Sequence, residues 1–398
     1  MKRLIAVLLI LLFWTTLADA RPAQKKKIPA EKRASTAKVQ AEKEAPYKAY
    51  VVAEAATGKV IEGENADAKR APASVTKLML ACVVLDKVAK GEIKLTDKIT
   101  ASKEASKIGG SQVYLKEGEV FTLEEMMKAT LIASGNDTAY AIAEHVSGSK
   151  EEFVRLMNEK AKALGMKNSE FHSPHGLPPS KGQQEDLSSC NDLVILAREL
   201  LKYPKLLEWT SIKTEGFRDD KFIMNNHNKL LVKMPGLVDG MKTGYYRETG
   251  FNVVATAKKG DLRFIVVVMG SPNAKIRDNA AMEKFKKAFS QYKVLSVVKK
   301  GEVIDKDIIL EDGKYRKIKG VANANFLYPM PSDKKGTVKK EVVVPEKIKG
   351  EVKEGQKLGE LVIKLENEQI GKVDIVSPVY VPKANLFTRL IRKIGFNL

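Results

Sequence analysis

Cysteine, histidine and acid are all scarce in this 398-residue sequence, which has two cysteines, four histidines, and 49 Asp and Glu against 69 Lys and Arg. Two cysteines exclude the dense disulfide framework of a small secreted scaffold, and a core this large needs none. Cys82 lies in the apolar run LMLACVVL, where a thiol behaves as a small hydrophobe, and both it and Cys190 are expected unpaired. His172 and His175 form a close pair, but no third ligand follows at metal-site spacing, so neither a metal nor another cofactor is expected. Long apolar runs are missing too: the stretch from Leu4 to Leu17 is too short to span a bilayer comfortably. There is no internal repeat. The shortage of acid leaves a formal net charge of +20, which calls for an anionic surface or a particular compartment; a nucleic-acid partner is not expected.

The first residues supply the compartment. A basic start, Met1-Lys2-Arg3, precedes the apolar stretch, and Ala18-Asp19-Ala20 has small residues where a signal peptidase reads. Residues 1–20 are therefore expected to be a secretory signal peptide. Residues 21–45 hold eight basic and three acidic side chains and almost no large apolar ones, the composition of a flexible basic linker.

From Tyr47 the pattern becomes that of an α+β domain, expected over residues 46–294. Two short strands around Thr57-Gly58 read as a hairpin, and a helix is expected from Ser74 to Gly91. Thr122 and Glu125 form a capping box for a second helix, with Phe121 placed to staple onto Met126. That helix stops at Ser134-Gly135, and two more follow, through DTAYAIAEHV and SKEEFVRLMNEKAKALGM. Strands are expected near NKLLVKM, and GFNVVATAKK and LRFIVVVMGS should pair around Lys259-Gly260-Asp261; a helix from Asp278 to Tyr292 closes the unit. Beyond about residue 295, short alternating strands predict a small all-β sandwich to about residue 380, followed by a terminal helix over 381–398.

Ser-x-x-Lys occurs six times in this lysine-rich chain and is weak evidence alone. Only the copy at Ser74 and Lys77, in APASVTKLML, opens a long apolar helix, where a spacing of three puts hydroxyl and amine on one face. Burial disfavours an ammonium, so Lys77 there could take the proton of Ser74. Lys242-Thr243-Gly244 occurs once; Lys242 would add positive field, Thr243 would hydrogen-bond an anionic group, and Gly244 would let a substrate backbone approach the strand. Ser-x-Asn occurs at Ser134, Ser189 and Ser271. Ser189 reads as a helix cap, whereas Ser134-Gly135-Asn136 lies in a bend between helices where side chains can enter a cleft, so Ser134 is preferred.

These three motifs in this order, with APASVTKLML, SQVYLKEGEVFTLEEMMKATLIASGNDTAYAIAEHVSG, PHGL, NNHNKLL and DGMKTGYY, closely resemble the D-alanyl-D-alanine carboxypeptidases, the low-molecular-mass penicillin-binding proteins. The likeness covers about residues 47–294, and the β-rich remainder and terminal helix resemble theirs as well. It implies a serine β-lactamase/DD-peptidase-like fold, an antiparallel sheet flanked by helices with an all-α lobe. It also implies removal of the terminal D-alanine from a peptidoglycan stem peptide, with β-lactams as inhibitors. Ser74 would be the nucleophile, Lys77 its base, Ser134 the proton relay, and Asn136 the holder of Lys77 and the substrate amide. Lys242 and Thr243 would grip the terminal carboxylate, and the N–H groups of Ser74 and Tyr245 would form an oxyanion hole. Arg277 is a further carboxylate candidate, with a solvated helix-start arginine as the alternative. The family often has His-x-Ser-Thr-Ala after the HGL loop; QQEDLSSCNDL lacks that histidine and has Cys190 at the alanine, so an altered cleft wall is expected.

Other readings are a D,D-endopeptidase using the same residues, a β-lactamase, and an inactive wall-binding scaffold. A class A lactamase would carry Glu-x-x-Leu-Asn, which is absent, and a scaffold would show a broken motif, while all three are intact. In KANLFTRLIRKIGFNL, Leu386, Leu390 and Ile394 align, with Phe387 and Ile391 beside them and Lys383, Arg389, Arg392 and Lys393 on the flanks. Such a basic amphipathic helix suits a membrane interface. The chain is thus expected to be exported and held peripherally on the outer face of the cytoplasmic membrane.

Overall fold

The computed structural model describes residues 46–333 and 336–393, apart from the side chains of Ile391 and Lys393. The signal peptide and linker expected over residues 1–45, and Ile394 of the terminal helix, lie outside the described residues. The chain opens with the expected hairpin, β1 (Ala49–Glu54) and β2 (Val60–Glu64). A 3-10 turn, Ala73–Thr76, then leads into α1 (Lys77–Ala89). The helix ends at Gly91 as its sequence predicts: Gly91 has φ +74°, its N–H bonds to the Val88 carbonyl, and the Glu92 N–H bonds to that of Lys87.

Two short strands, β3 (Lys98–Thr100) and β4 (Val120–Thr122), flank α2 (Lys103–Ser106) and lead to α3 (Leu123–Ile132). The capping box of Thr122 and Glu125 is complete, while Phe121 stacks on Phe217 at 4.5 Å between ring centroids. The helical lobe continues through α4 (Asn136–Ser147), α5 (Lys150–Leu164), α6 (Cys190–Leu200) and α7 (Pro204–Thr210). A hairpin, β5 (Thr214–Phe217) and β6 (Phe222–Asn225), follows, and then a single helical turn, α8 (Leu230–Lys233). The strand expected near NKLLVKM is therefore corrected: that run is the turn α8, with Leu230 and Leu231 buried, and the nearby strands flank it, one ending at Asn225 and the next starting at Val238.

The sheet is completed by β7 (Val238–Tyr246), β8 (Gly250–Lys259) and β9 (Leu262–Ser271), in the antiparallel order β2-β1-β9-β8-β7. Period-two alternation sends Val51, Val254 and Val267 into one core with α1 and α6. Val52, Val253 and Val266 go into the other, with Phe285 of α9 (Ala274–Gln291). A sheet covered on both faces explains why β8 and β9 read as nearly unbroken apolar runs. The helix α9 starts four residues earlier than expected because the Asn273 side chain caps it, accepting the Ile276 N–H at 2.9 Å. The strand β7 starts at Val238, so Asp239 and Gly240 lie inside it.

The β-rich remainder comprises β10 (Tyr292–Val298), β11 (Val303–Ile309), β12 (Lys317–Ala322), β13 (Phe326–Pro331), β14 (Val338–Val343), β15 (Lys357–Leu365) and β16 (Glu368–Val376). A five-stranded sheet ordered β11-β12-β16-β15-β14 faces the pair β10-β13. Val298, Tyr328 and Met330 from the pair share one core with Leu361, Ile363 and Ile375 from the sheet. The last described element is α10 (Leu386–Lys393). Arg389 Nε lies 3.1 Å from Asp312 Oδ1 and an Arg392 guanidinium N–H donates to the Gly313 carbonyl at 2.7 Å, so a basic flank faces the β-rich unit. Leu386, Phe387 and Leu390 are exposed. Among the described residues, no helix is long and apolar enough to cross a membrane.

Candidate active site

Ser74 stands in the 3-10 turn and Lys77 opens α1. In 3-10 geometry residues three apart eclipse, and Lys77 Nζ lies 3.0 Å from Ser74 Oγ. Two neighbouring pieces of backbone hold the turn in place. A Cβ on Gly244 of β7 would fall 2.3 Å from the Pro72 carbonyl oxygen and 3.0 Å from the Ser74 nitrogen. At Gly176, φ +78°, a Cβ would fall 2.1 Å from the Ala73 carbonyl oxygen. Ala73 itself has φ +51°; a left-handed non-glycine residue beside the serine stores strain that the surrounding contacts hold in place.

Lys77 is completely buried. Its Nζ also donates to Asn136 Oδ1 at 2.6 Å and to the His175 carbonyl at 2.8 Å. A neutral amine has two N–H bonds and one lone pair; the two carbonyl acceptors take the N–H bonds and leave the lone pair directed at the serine hydroxyl, which can donate. The electrostatics favour that state. Burial holds the Lys77 amine well below the ordinary lysine range and the Lys242 charge lowers it further, while Asp137 and Asp186 act in the opposite sense.

Ser134 and Asn136 come from the bend between α3 and α4. Ser134 is buried with φ +62°, and Asn136 Nδ2 donates to the Gly109 carbonyl at 2.7 Å while its Oδ1 receives Lys77. The rival Ser189 is a helix cap, its side chain accepting the Asp192 N–H. Lys242 is buried with Nζ donating to the Thr243 carbonyl at 3.0 Å; burial, then Arg277, brings its pKa down to about 7. Arg277 is no solvated arginine. It is 4% exposed and gives two N–H groups to Asp278, which also pairs with Lys233.

Ser74, Ser134, Thr243, Gly244, Tyr245 and Arg277 all line one cleft of about 390 Å³; Lys77, Asn136 and Lys242 are buried. The Tyr245 ring stacks on Phe251, also in the wall, at 4.0 Å. All nine residues singled out from sequence therefore belong to one site or its immediate support. Sequence reasoning missed four others. His175 contributes its carbonyl, and its imidazole is held neutral by burial and Lys77, with a pKa near 3. Asp137 accepts the N–H groups of Val113 and Leu115 and so fixes the segment beside Ser111. His227 and Lys229 line the cleft, and burial and Lys242 bring His227 down to about 4. The stretches PHGL and NNHNKLL contain three of these residues, but neither indicated that a backbone carbonyl would hold the lysine.

A serine–lysine pair beneath the edge strand of a five-stranded antiparallel sheet, between a helical lobe and a capping helix, defines a serine peptidase. The chain belongs to the D-alanyl-D-alanine carboxypeptidase family: that family's profile matches residues 34–273, and the profile of the penicillin-binding protein 5 C-terminal domain matches residues 292–383. It is 37% identical over 399 residues to the D-alanyl-D-alanine carboxypeptidase DacF of Bacillus subtilis, covering 99% of this chain and 98% of that one. Penicillin-binding protein 5 of Haemophilus influenzae superposes with a TM-score of 0.71 at 27% identity, over 85% of this chain and 98% of that one. Penicillin-binding protein D2 of Listeria monocytogenes, solved in its ampicillin-bound form, superposes with a TM-score of 0.56 at 27% identity, over 62% and 98%.

Proposed function

We propose that this enzyme removes the terminal D-alanine of peptidoglycan stem peptides through an acyl-serine intermediate, and that β-lactams acylate the same serine. The observation that carries the reading is the buried Lys77 amine, held by two carbonyls with its third direction at Ser74 Oγ. Ser74 Oγ attacks the carbonyl of the penultimate D-alanine as its proton passes to Lys77 Nζ. The peptide C–N bond then breaks as Ser134 donates its hydroxyl proton to the departing amine and takes up the proton held on Lys77, which returns both side chains to their starting states. Water hydrolyses the ester and restores Ser74. Asn136 orients Lys77 and the substrate amide. Thr243 bonds the terminal carboxylate, while Lys242 and Arg277 supply positive field. The N–H groups of Ser74 and Tyr245 bind the oxyanion, each worth about 3–4 kcal/mol in such a site, and Gly244 between them keeps the strand close to the serine turn.

Residues 46–294 form the catalytic domain in this reading, and 295–380 a spacer. The outward apolar side of α10 anchors the exported protein at the outer face of the membrane; Leu386, Phe387 and Leu390 have no cover in the β-rich unit, which supports this part. Incubating the mature protein with stem pentapeptide and with cross-linked dimer, and weighing the products, tests the reaction. Free D-alanine from the pentapeptide is expected, together with a penicillin adduct on Ser74 that Ser74→Ala abolishes. Cleavage of the dimer alone would make the enzyme an endopeptidase, and labelling that persists in Ser74→Ala would overturn the mechanism.

A further inference from the structure

The segment from His172 to Asp186 supplies the carbonyl that holds Lys77, and its Gly176 presses on the Ala73 backbone of the serine turn. It borders a cavity of about 560 Å³ lined by Tyr140, His172, Ser173, His175, Leu177 and Asp186. On the side facing that cavity, its hydrogen bonds converge on one carboxylate. Asp186, 5% exposed, accepts the N–H groups of His172 at 2.6 Å and Ser173 at 2.9 Å through Oδ1. Its Oδ2 accepts the hydroxyls of Ser173 at 2.8 Å and Thr76 at 3.1 Å. Ser173 Oγ in turn accepts the Gly176 N–H at 2.8 Å, next to His175. Thr76 lies in the serine turn, between Ser74 and Lys77. Burial raises the pKa of Asp186 and these hydrogen bonds act in the opposite sense; four donors on one group are what an ionised carboxylate accommodates.

We infer that Asp186 is a positioning residue that staples the loop bearing the His175 carbonyl to the turn bearing Ser74, so that the Lys77 amine keeps its aim at the hydroxyl. The inference rests on the reading of Lys77 as base. Asp186 stands where the family pattern counted back from Cys190 would put its histidine, so in this chain a carboxylate does the fastening. It also has an electrostatic consequence. The charged groups facing Lys77 are Lys242 on β7, Asp137 on α4 and Asp186 on the loop, with the imidazoles of His175 and His227 neutral. Removing the Asp186 charge leaves the ammonium less supported, and the acid limb of acylation moves to lower pH.

The test measures the rate of acylation by a labelled penicillin against pH, the fraction of molecules labelled and the melting temperature, for the mature wild type, Asp186→Ala and Asp186→Asn. Asp186→Ala is expected to slow acylation tenfold or more while labelling goes to completion. Asp186→Asn still accepts the two backbone N–H groups and should recover most of the rate, with its acid limb displaced to lower pH. A purely structural role predicts a lower melting temperature with rate and limb unchanged in the folded molecules, and that result overturns the inference. If Asp186→Ala does not fold, an unmoved acid limb in Asp186→Asn overturns it as well. A wild type that is not labelled at Ser74 instead removes the reading of Lys77 on which the inference stands.

Discussion

Replacing Gly244 with alanine tests how closely strand β7 is pressed against the serine turn. The new methyl group would lie 2.3 Å from the Pro72 carbonyl oxygen and 3.0 Å from the nitrogens of Ser74 and Val75, all backbone atoms that cannot rotate away. Reaching ordinary contact at 3.4 Å requires strand and turn to separate by about 1.1 Å. The separation falls between Ser74 on one side and Thr243 and Tyr245 on the other, the groups proposed to hold the two ends of the reacting bond. A misplacement of that size can cost on the order of a hundredfold in rate, about 2.7 kcal/mol of barrier at 1.36 kcal/mol per decade. Overpacking of this kind also costs about 1–3 kcal/mol of stability. The assay is the acylation rate with labelled penicillin, read beside a thermal melt. Gly260→Ala is the control: Gly260 has φ +59° at the far hairpin tip with nothing near its Cβ position, so alanine there should lower stability and leave the rate alone. Acylation of Gly244→Ala within threefold of wild type would show that the spacing of strand and turn does not limit the reaction.

Two further outcomes follow from the electrostatics and from the last helix. The Lys242 charge depresses Lys77, so in Lys242→Met the Lys77 amine titrates higher and the acid limb of acylation moves to higher pH. On the acid side of that limb the rate should then fall about tenfold for each unit of displacement, with the deficit vanishing on the plateau at higher pH; a limb that stays in place would show that the charge of Lys242 does not govern Lys77. Deleting residues 386–398 removes the exposed Leu386, Phe387 and Leu390 and keeps the Ala384 N–H bond to the Asp312 carbonyl. Each of those side chains contributes up to about 1.5–3 kcal/mol when buried in an apolar phase. The shortened mature protein should leave the membrane pellet for the soluble fraction with unchanged acylation, and continued sedimentation with membranes would place the anchor elsewhere.

Much of the architecture was legible because its signals are local. The capping box at Thr122, the hairpin across Lys259-Gly260-Asp261 and the end of α1 at Gly91 each depend on residues within a few positions of one another. The misreadings came where two local signals competed. NKLLVKM has the apolar content of a strand, but only Leu230 and Leu231 had a core to enter, and a single helical turn buries both. Asn273 caps α9, which moves the helix start from the expected Asp278 to Ala274.

The chemical groups were legible in the chain alone: a serine and lysine three apart, a bend carrying Ser134 and Asn136, and a strand carrying Lys242 to Tyr245. Spacing within one turn or one strand is a property of the backbone, so those groupings needed no fold. Their surroundings come from the fold. It brings the His175 carbonyl, 98 residues away, to Lys77 Nζ, and the Asp186 carboxylate, 110 residues away, to Thr76. It buries Lys77 and Lys242 in one another's field and makes Gly244 necessary by pressing one backbone against another. A pKa depends on burial and on charges brought near in space, and a steric requirement depends on which chain passes alongside. Neither is a property of any short stretch of sequence.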